Sequence, residues 1–139
     1  MSLNDRVEAV ARSLAKREHR HLEAIESAQY KAAELHREVS AAIDRFNAVV
    51  GETIPYLEIE VSPPHVDEKH LHAIEFDLVR GRHRAIVTVK AKGEVTLVGP
   101  FRTGKAEGPC RSFAFDAEQD LDDALGEFLE NFLEAAAAP

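Results

Sequence analysis

The chain has 139 residues, of which 45% are hydrophobic and 30% charged, and its net charge at pH 7 is −8. This composition is typical of one folded domain with its own core and excludes a disordered chain. A single cysteine, Cys110, excludes an internal disulfide framework and favours a reducing compartment. The charged N-terminus lacks an apolar signal segment, and no apolar run is long enough to span a membrane. We therefore expect a cytoplasmic protein with no membrane partner.

Charge is distributed unevenly along the chain. Residues 80–115 hold eight bases and two acids, whereas residues 116–139 hold eight acids and no base. This distribution predicts a basic patch and an acidic closing element rather than a uniformly acidic surface.

The first element in chain order is a long helix over residues 1–50. No Gly or Pro occurs between Asp5 and Val50, and the segment is rich in residue types that favour helices. Gly51 and then Pro55 predict where the helix ends. At 1.5 Å per residue the helix would be about 70 Å long, which is more than a body of about 85 residues covers.

Apolar residues on this helix recur at alternating intervals of three and four, which is the spacing of a coiled-coil seam. We therefore predict a homodimer paired through the helix, either parallel or antiparallel. The predicted interface residues are Val7, Val10, Leu14, Leu35, Val39 and Phe46. The alternative is a hairpin that folds back near residues 16–21, which the absence of turn residues there disfavours.

The hydrophobic period changes from helical to alternating after Pro55, which predicts a five-stranded antiparallel meander over residues 56–116. A two-residue loop at Gly81-Arg82 and a three-residue loop over 91–93 independently place the apolar residues on one face. The registers that they imply are Ile74–Val89, Phe76–Val87, Leu78–Ala85, Val89–Val95 and Val87–Leu97. The place of the first strand stays open, because the loop over 62–70 permits more than one.

The last element is a helix over residues 117–136 with an apolar stripe and an acidic face. The stripe consists of Leu121, Leu125, Phe128, Leu129 and Phe132. We expect this stripe to pack on the apolar face of the sheet. The predicted fold class is therefore α+β, a single domain over residues 1–139. It consists of a long N-terminal helix, a five-stranded antiparallel meander and a C-terminal helix packed on one face of the sheet.

No complete catalytic or cofactor motif occurs in the sequence. Residues 99–105 have the glycine and lysine spacing of a phosphate-binding loop, but Ala106 stands where Ser or Thr must hold the metal. Cys110 has no assigned base that would activate it. We therefore predict no catalytic residue and no cofactor, and the sequence favours a protein that is not an enzyme.

Two groups of residues have the chemistry to bind ligands. His70 and His72 would share one face of a strand, as metal ligands do, although histidines at the rim of a core are commoner. A basic cluster at one end of the predicted sheet could hold an anionic ligand. This cluster consists of Arg80, Arg82, Arg84, Arg102, Lys105 and Arg111. No aromatic residues are interleaved with these bases, so nucleic-acid binding is disfavoured.

The predicted helix is longer than its own domain can cover, and this length favours one of two functional hypotheses. The leading prediction is a non-enzymatic interaction module, a homodimeric adaptor or scaffold paired through the long helix, with a further protein partner. The alternative is a domain, or an enzyme, that binds an anionic ligand through the basic cluster.

Overall fold

The computed structural model describes residues 1–67, 72–104 and 108–138. Within them the chain forms a helix α1 and a short 3-10 turn, then six strands and a helix α2. The bounds are α1 Leu3–Gly51, the turn Pro55–Leu57, β1 Glu60–Val61, β2 His65–Val66, β3 Ala73–Arg80, β4 His83–Lys90, β5 Glu94–Arg102, β6 Cys110–Ala114 and α2 Glu118–Ala136. The predicted α+β class is confirmed. In the described ranges, no helix combines the length and the apolar content needed to cross a membrane.

Helix α1 runs for 49 residues without a break, so the hairpin alternative does not occur. Its start is fixed by a capping box, in which the Asp5 amide donates to the Ser2 hydroxyl at 3.1 Å and the Ser2 amide donates to the Asp5 carboxylate at 3.3 Å. Its end is at Gly51, where the predicted stop lies.

The sheet is antiparallel throughout, in the order β1-β3-β4-β5-β6, and β2 pairs with the same edge of β3 as β1 does. All five predicted registers between β3, β4 and β5 are confirmed. The two turns that set these registers contain glycines with positive φ, 57° at Gly81 and 95° at Gly93. Glycine adopts a positive φ at little cost, so these two residues favour the short turns that set the register.

The first strand differs from the prediction. Of the alternating residues from Leu57 to Val61, the first ends the 3-10 turn and only the last two, Glu60 and Val61, belong to a strand. The Asn47 side chain explains the difference, because its amide nitrogen donates to the Ile59 carbonyl at 2.9 Å and its oxygen accepts from the Ile59 amide at 2.8 Å. A side chain of α1 thus takes the backbone groups that a neighbouring strand would use.

The core lies between one face of the sheet and both helices. Alternate residues of β3, β4 and β5 form a single apolar cluster with one side of α1 and one side of α2. Helix α1 contacts β3 and β4, and α2 contacts β4, β5 and β6. We call the opposite side of the sheet the outer face. None of the described helices packs on it, although two of its side chains, Asp77 and Thr96, are only 8% and 5% exposed.

Candidate functional site

The N-terminal part of α1 projects from the body. Every residue from 3 to 20, a segment that we call the arm, is exposed. Four apolar side chains of the arm, which we call the arm seam, are 50–77% exposed: Leu3, Val7, Val10 and Leu14. Because these residues recur at coiled-coil spacing, they form one continuous apolar stripe on the arm rather than scattered surface residues.

The arm seam lies on the same side of α1 that contacts the sheet further along. At 100° per residue, the mean direction of the seam differs by about 10° from that of the buried residues between Ala28 and Val50. The His21 side chain, midway between the two groups, confirms the direction. Its ring contacts the ring of His72, just before β3, at 4.3 Å. The seam therefore faces the space directly beyond the end of the sheet.

The structure corrects part of the predicted interface. Leu35 and Val39 are 1% and 0% exposed in the core of their own chain, so their side chains are not available to a partner. Phe46 is half-buried and packs against the same core. The remaining residues, Val7, Val10 and Leu14, belong to the arm seam.

The arm is also electrically asymmetric. Residues 3–11 carry two acids and one base, whereas residues 12–20 carry four bases and one acid. The ion pair from Arg12 to Glu8 at 3.6 Å is largely exposed, as is the contact of His19 with Glu23 at 3.0 Å. Exposed pairs at this spacing stabilise a helix by only a few tenths of a kcal/mol, so they do not hold the arm in its conformation.

The structure does not bring the predicted basic cluster together as one anion site. Arg84 forms an ion pair with Asp77 on the outer face. Arg111 lies 3.3 Å from Glu127 of α2 and stacks over the Phe113 ring at 5.2 Å. Both guanidinium groups thus have partners within the chain.

The remaining bases lie at the Gly81 end of the sheet. Arg80 donates to the Tyr56 carbonyl at 2.9 Å, while Arg82 and Arg102 are exposed and form no ion pair among the described residues. The C-terminus of α2 reaches this end, where the Ala138 carbonyl lies 3.1 Å from the His83 ring. Carbonyl groups at a helix C-terminus disfavour anions. Lys105 lies outside the described residues, and anion binding stays a prediction.

A second group of side chains, with the chemistry of metal ligands, lies on the outer face, and the sequence indicates it only in part. His65 of β2 and Glu75 and Asp77 of β3 each place one potential ligand atom within 4.8 Å of the other two. The His65 Nε2 atom is 3.3 Å from Glu75, and its Nδ1 atom is 3.1 Å from the Pro63 carbonyl. Of the histidines predicted as metal ligands, His70 lies outside the described residues, and His72 contacts His21 instead.

Hydrogen bonding and partial burial shift the pKa values of two side chains in this outer-face group, His65 and Glu75. The hydrogen bond to the Pro63 carbonyl, together with Glu75, raises the pKa of His65 despite its partial burial. Partial burial, with the nearby Asp67 and Asp77 charges, raises the pKa of Glu75 above its usual value, and the contact with His65 opposes this.

The fold and these surfaces define a small α+β domain with a projecting helical arm. Comparison with known proteins found no matching family model, curated protein or solved structure. Function is therefore inferred from the arm and from the outer-face group.

Proposed function

We propose that the protein is an interaction module in which the arm pairs with the arm of a second copy, so that the dimer presents two α+β bodies. The observation that carries this proposal is the arm seam, with apolar side chains 50–77% exposed at coiled-coil spacing. Such a dimer serves as an adaptor or scaffold, because it holds two identical bodies at a fixed separation.

The length of the arm supports pairing. All 18 residues of the arm are exposed, whereas helices in proteins are stabilised mainly by the packing of an apolar face. It includes β-branched valines, which lower helix propensity. Burying the seam against a partner supplies the stabilisation that the arm lacks within its own chain.

Steric considerations favour antiparallel pairing. The arm seam and the sheet lie on the same side of a continuous helix, and two packed helices are about 8–10 Å apart. In a parallel pair, the partner helix would run past residue 21 into the space that the sheet occupies. In an antiparallel pair, the partner helix ends there, and the two bodies lie at opposite ends.

The charges of the arm favour the same orientation. Full overlap of two antiparallel arms pairs residue 3 with about residue 21, so the acidic residues 3–11 face the basic residues 12–20 of the other copy. A parallel pair would instead bring the two segments 12–20 together, each with four bases and one acid. This repulsion is screened by salt, with a Debye length of about 8 Å at physiological ionic strength.

The first test is the mass of the wild-type protein in solution, measured by light scattering after size-exclusion chromatography at several protein concentrations. We expect twice the 15.4 kDa of one chain, with little change between low and high salt, because the interface is mainly apolar. A mass of 15.4 kDa at all concentrations would contradict self-pairing and would leave a helix of another protein as the occupant of the seam.

The orientation is tested by disulfide cross-linking in a Cys110→Ser background. Val7 faces residue 17 of the partner when antiparallel arms overlap fully, so an equimolar mixture of Val7→Cys and Arg17→Cys chains should form a mixed disulfide. Val7→Cys alone should not, because the two positions would be about 15 Å apart along the axis, and a disulfide needs Cα atoms within about 7 Å. Efficient cross-linking of Val7→Cys alone would show parallel pairing.

A further inference from the structure

The outer-face group combines side chains from two strands into a set of metal-ligand types. His65 belongs to the two-residue strand β2, and Glu75 and Asp77 belong to the adjacent β3. Because residues two apart on a strand point to one face, the pairing of His65 with Glu75 places all three side chains on the outer face. One imidazole nitrogen and two carboxylates form a donor set that suits divalent transition metals.

The hydrogen bonds of His65 prepare its ring for coordination. The Nδ1 atom lies 3.1 Å from the Pro63 carbonyl, which accepts a hydrogen bond but does not donate one. The tautomer that donates from Nδ1 to this carbonyl leaves the lone pair on Nε2, the atom that lies 3.3 Å from Glu75, free to bind a metal. This arrangement of a backbone carbonyl behind the distal nitrogen is the usual support of a metal-ligating histidine.

Asp77 supplies the second, independent observation. The residue is 8% exposed, and Arg84 holds its Oδ2 atom in an ion pair. Among the described residues, its buried Oδ1 atom has no hydrogen-bond partner, and neither has the buried Nε atom of Arg84. A buried carboxylate oxygen without a partner is costly, and a bound cation at the group would satisfy it.

The group joins two carboxylates, those of Glu75 and Asp77, with one imidazole. The Arg84 guanidinium forms an ion pair with Asp77, whereas Glu75 contacts the His65 ring. A divalent cation would be attracted by both carboxylates.

We propose that His65, Glu75 and Asp77 form a binding site for one divalent transition-metal ion, with Zn²⁺ as the best-suited probe, that clips β2 onto β3. Zn²⁺ binds imidazole nitrogen and carboxylate oxygen at about 2.0–2.2 Å. Around a tetrahedral ion the ligand atoms would be about 3.4 Å apart, so atoms that are now up to 4.8 Å apart must close by about 1.4 Å. Rotation of the His65 and Glu75 side chains, which are less buried than Asp77, would provide this movement. Since the site joins β2 to β3, metal binds the folded chain in preference to the unfolded one and stabilises it.

The test is calorimetric titration of ZnCl₂ into tag-free protein in a Cys110→Ser background, which removes the exposed thiol as a competing ligand. We expect one Zn²⁺ per chain and a higher melting temperature in its presence. His65→Ala and Glu75→Gln should each weaken binding by about 10-fold or more. Both side chains lie outside the apolar core, so circular dichroism should show the wild-type fold.

Two matched histidine variants serve as controls. His19→Ala on the arm and His72→Ala beside His21 should bind Zn²⁺ as the parent does. No binding at millimolar Zn²⁺, or equal affinity in the His65→Ala chain, would overturn the site. Loss of binding in His72→Ala instead would also overturn it and would place the metal beside His21. Because the site is on the body, these results are independent of whether the arms pair.

Discussion

A chain that carries Val10→Asp and Leu14→Asp is expected to be a folded monomer. Both side chains are at least 50% exposed within one chain, so the substitutions leave the core intact. In the proposed dimer, however, they would bury four carboxylates against apolar side chains without partners. We expect the dimer dissociation constant to rise by about 100-fold or more, and the mass from light scattering to fall to 15.4 kDa.

The matched control adds the same two acidic residues to the opposite side of the arm. Ala9 and His19 are exposed and lie away from the seam, so Ala9→Asp with His19→Asp should remain dimeric. Equal masses of the two double variants would show that the seam is not the interface. A monomeric control would instead indicate that the added charge, rather than the seam, dissociates the dimer.

The meander was the part of the fold that the sequence predicted in most detail. Each short loop needs a residue with positive φ, which Gly81 and Gly93 adopt readily. The length of each loop then determines how the strands on either side of it pair. The first strand was predicted less well, because the Asn47 side chain that replaces its partner comes from α1. Such long-range contacts leave no trace in a local hydrophobic period.

The sequence also predicted one continuous helix, but not which part of its apolar stripe is buried within the chain. The spacing of three and four residues is the same for a helix on its own sheet as for a helix on a partner. Leu14 and Leu35 occupy equivalent places in that pattern, yet the first is 50% exposed and the second 1%. The difference arises because the sheet is long enough to cover only the C-terminal half of α1.

The outer-face group could be predicted only in part. The alternation of β3 places Glu75 and Asp77 on the polar side of the strand, and the sequence indicates this. The contribution of His65 depends on β2, which has two residues and no period that marks it as a strand. The sequence also placed Arg84 in an anion site, whereas in the structure it forms an ion pair with Asp77. A pair between two strands depends on how the strands twist and pack, which the sequence alone does not show.

Replacing Leu35 by Ala should lower the free energy of unfolding by about 2–5 kcal/mol, a large share of the roughly 5–15 kcal/mol typical of a domain. Leu35 belongs to the cluster in which α1 packs on the sheet, so the change leaves a cavity between these layers. The measurement is urea unfolding followed by circular dichroism, in the Val10→Asp, Leu14→Asp background, so that dimer dissociation does not contribute.

The control for this prediction is Val7→Ala in the same background, which should change the free energy of unfolding by less than about 0.5 kcal/mol, because Val7 is 60% exposed on the arm. Equal effects of the two substitutions would mean that α1 leaves the sheet in solution. The whole stripe from Val7 to Val39 would then be open to a partner, and the interface would extend over both halves of the helix. A large effect of Leu35→Ala alone restricts the interface to the arm.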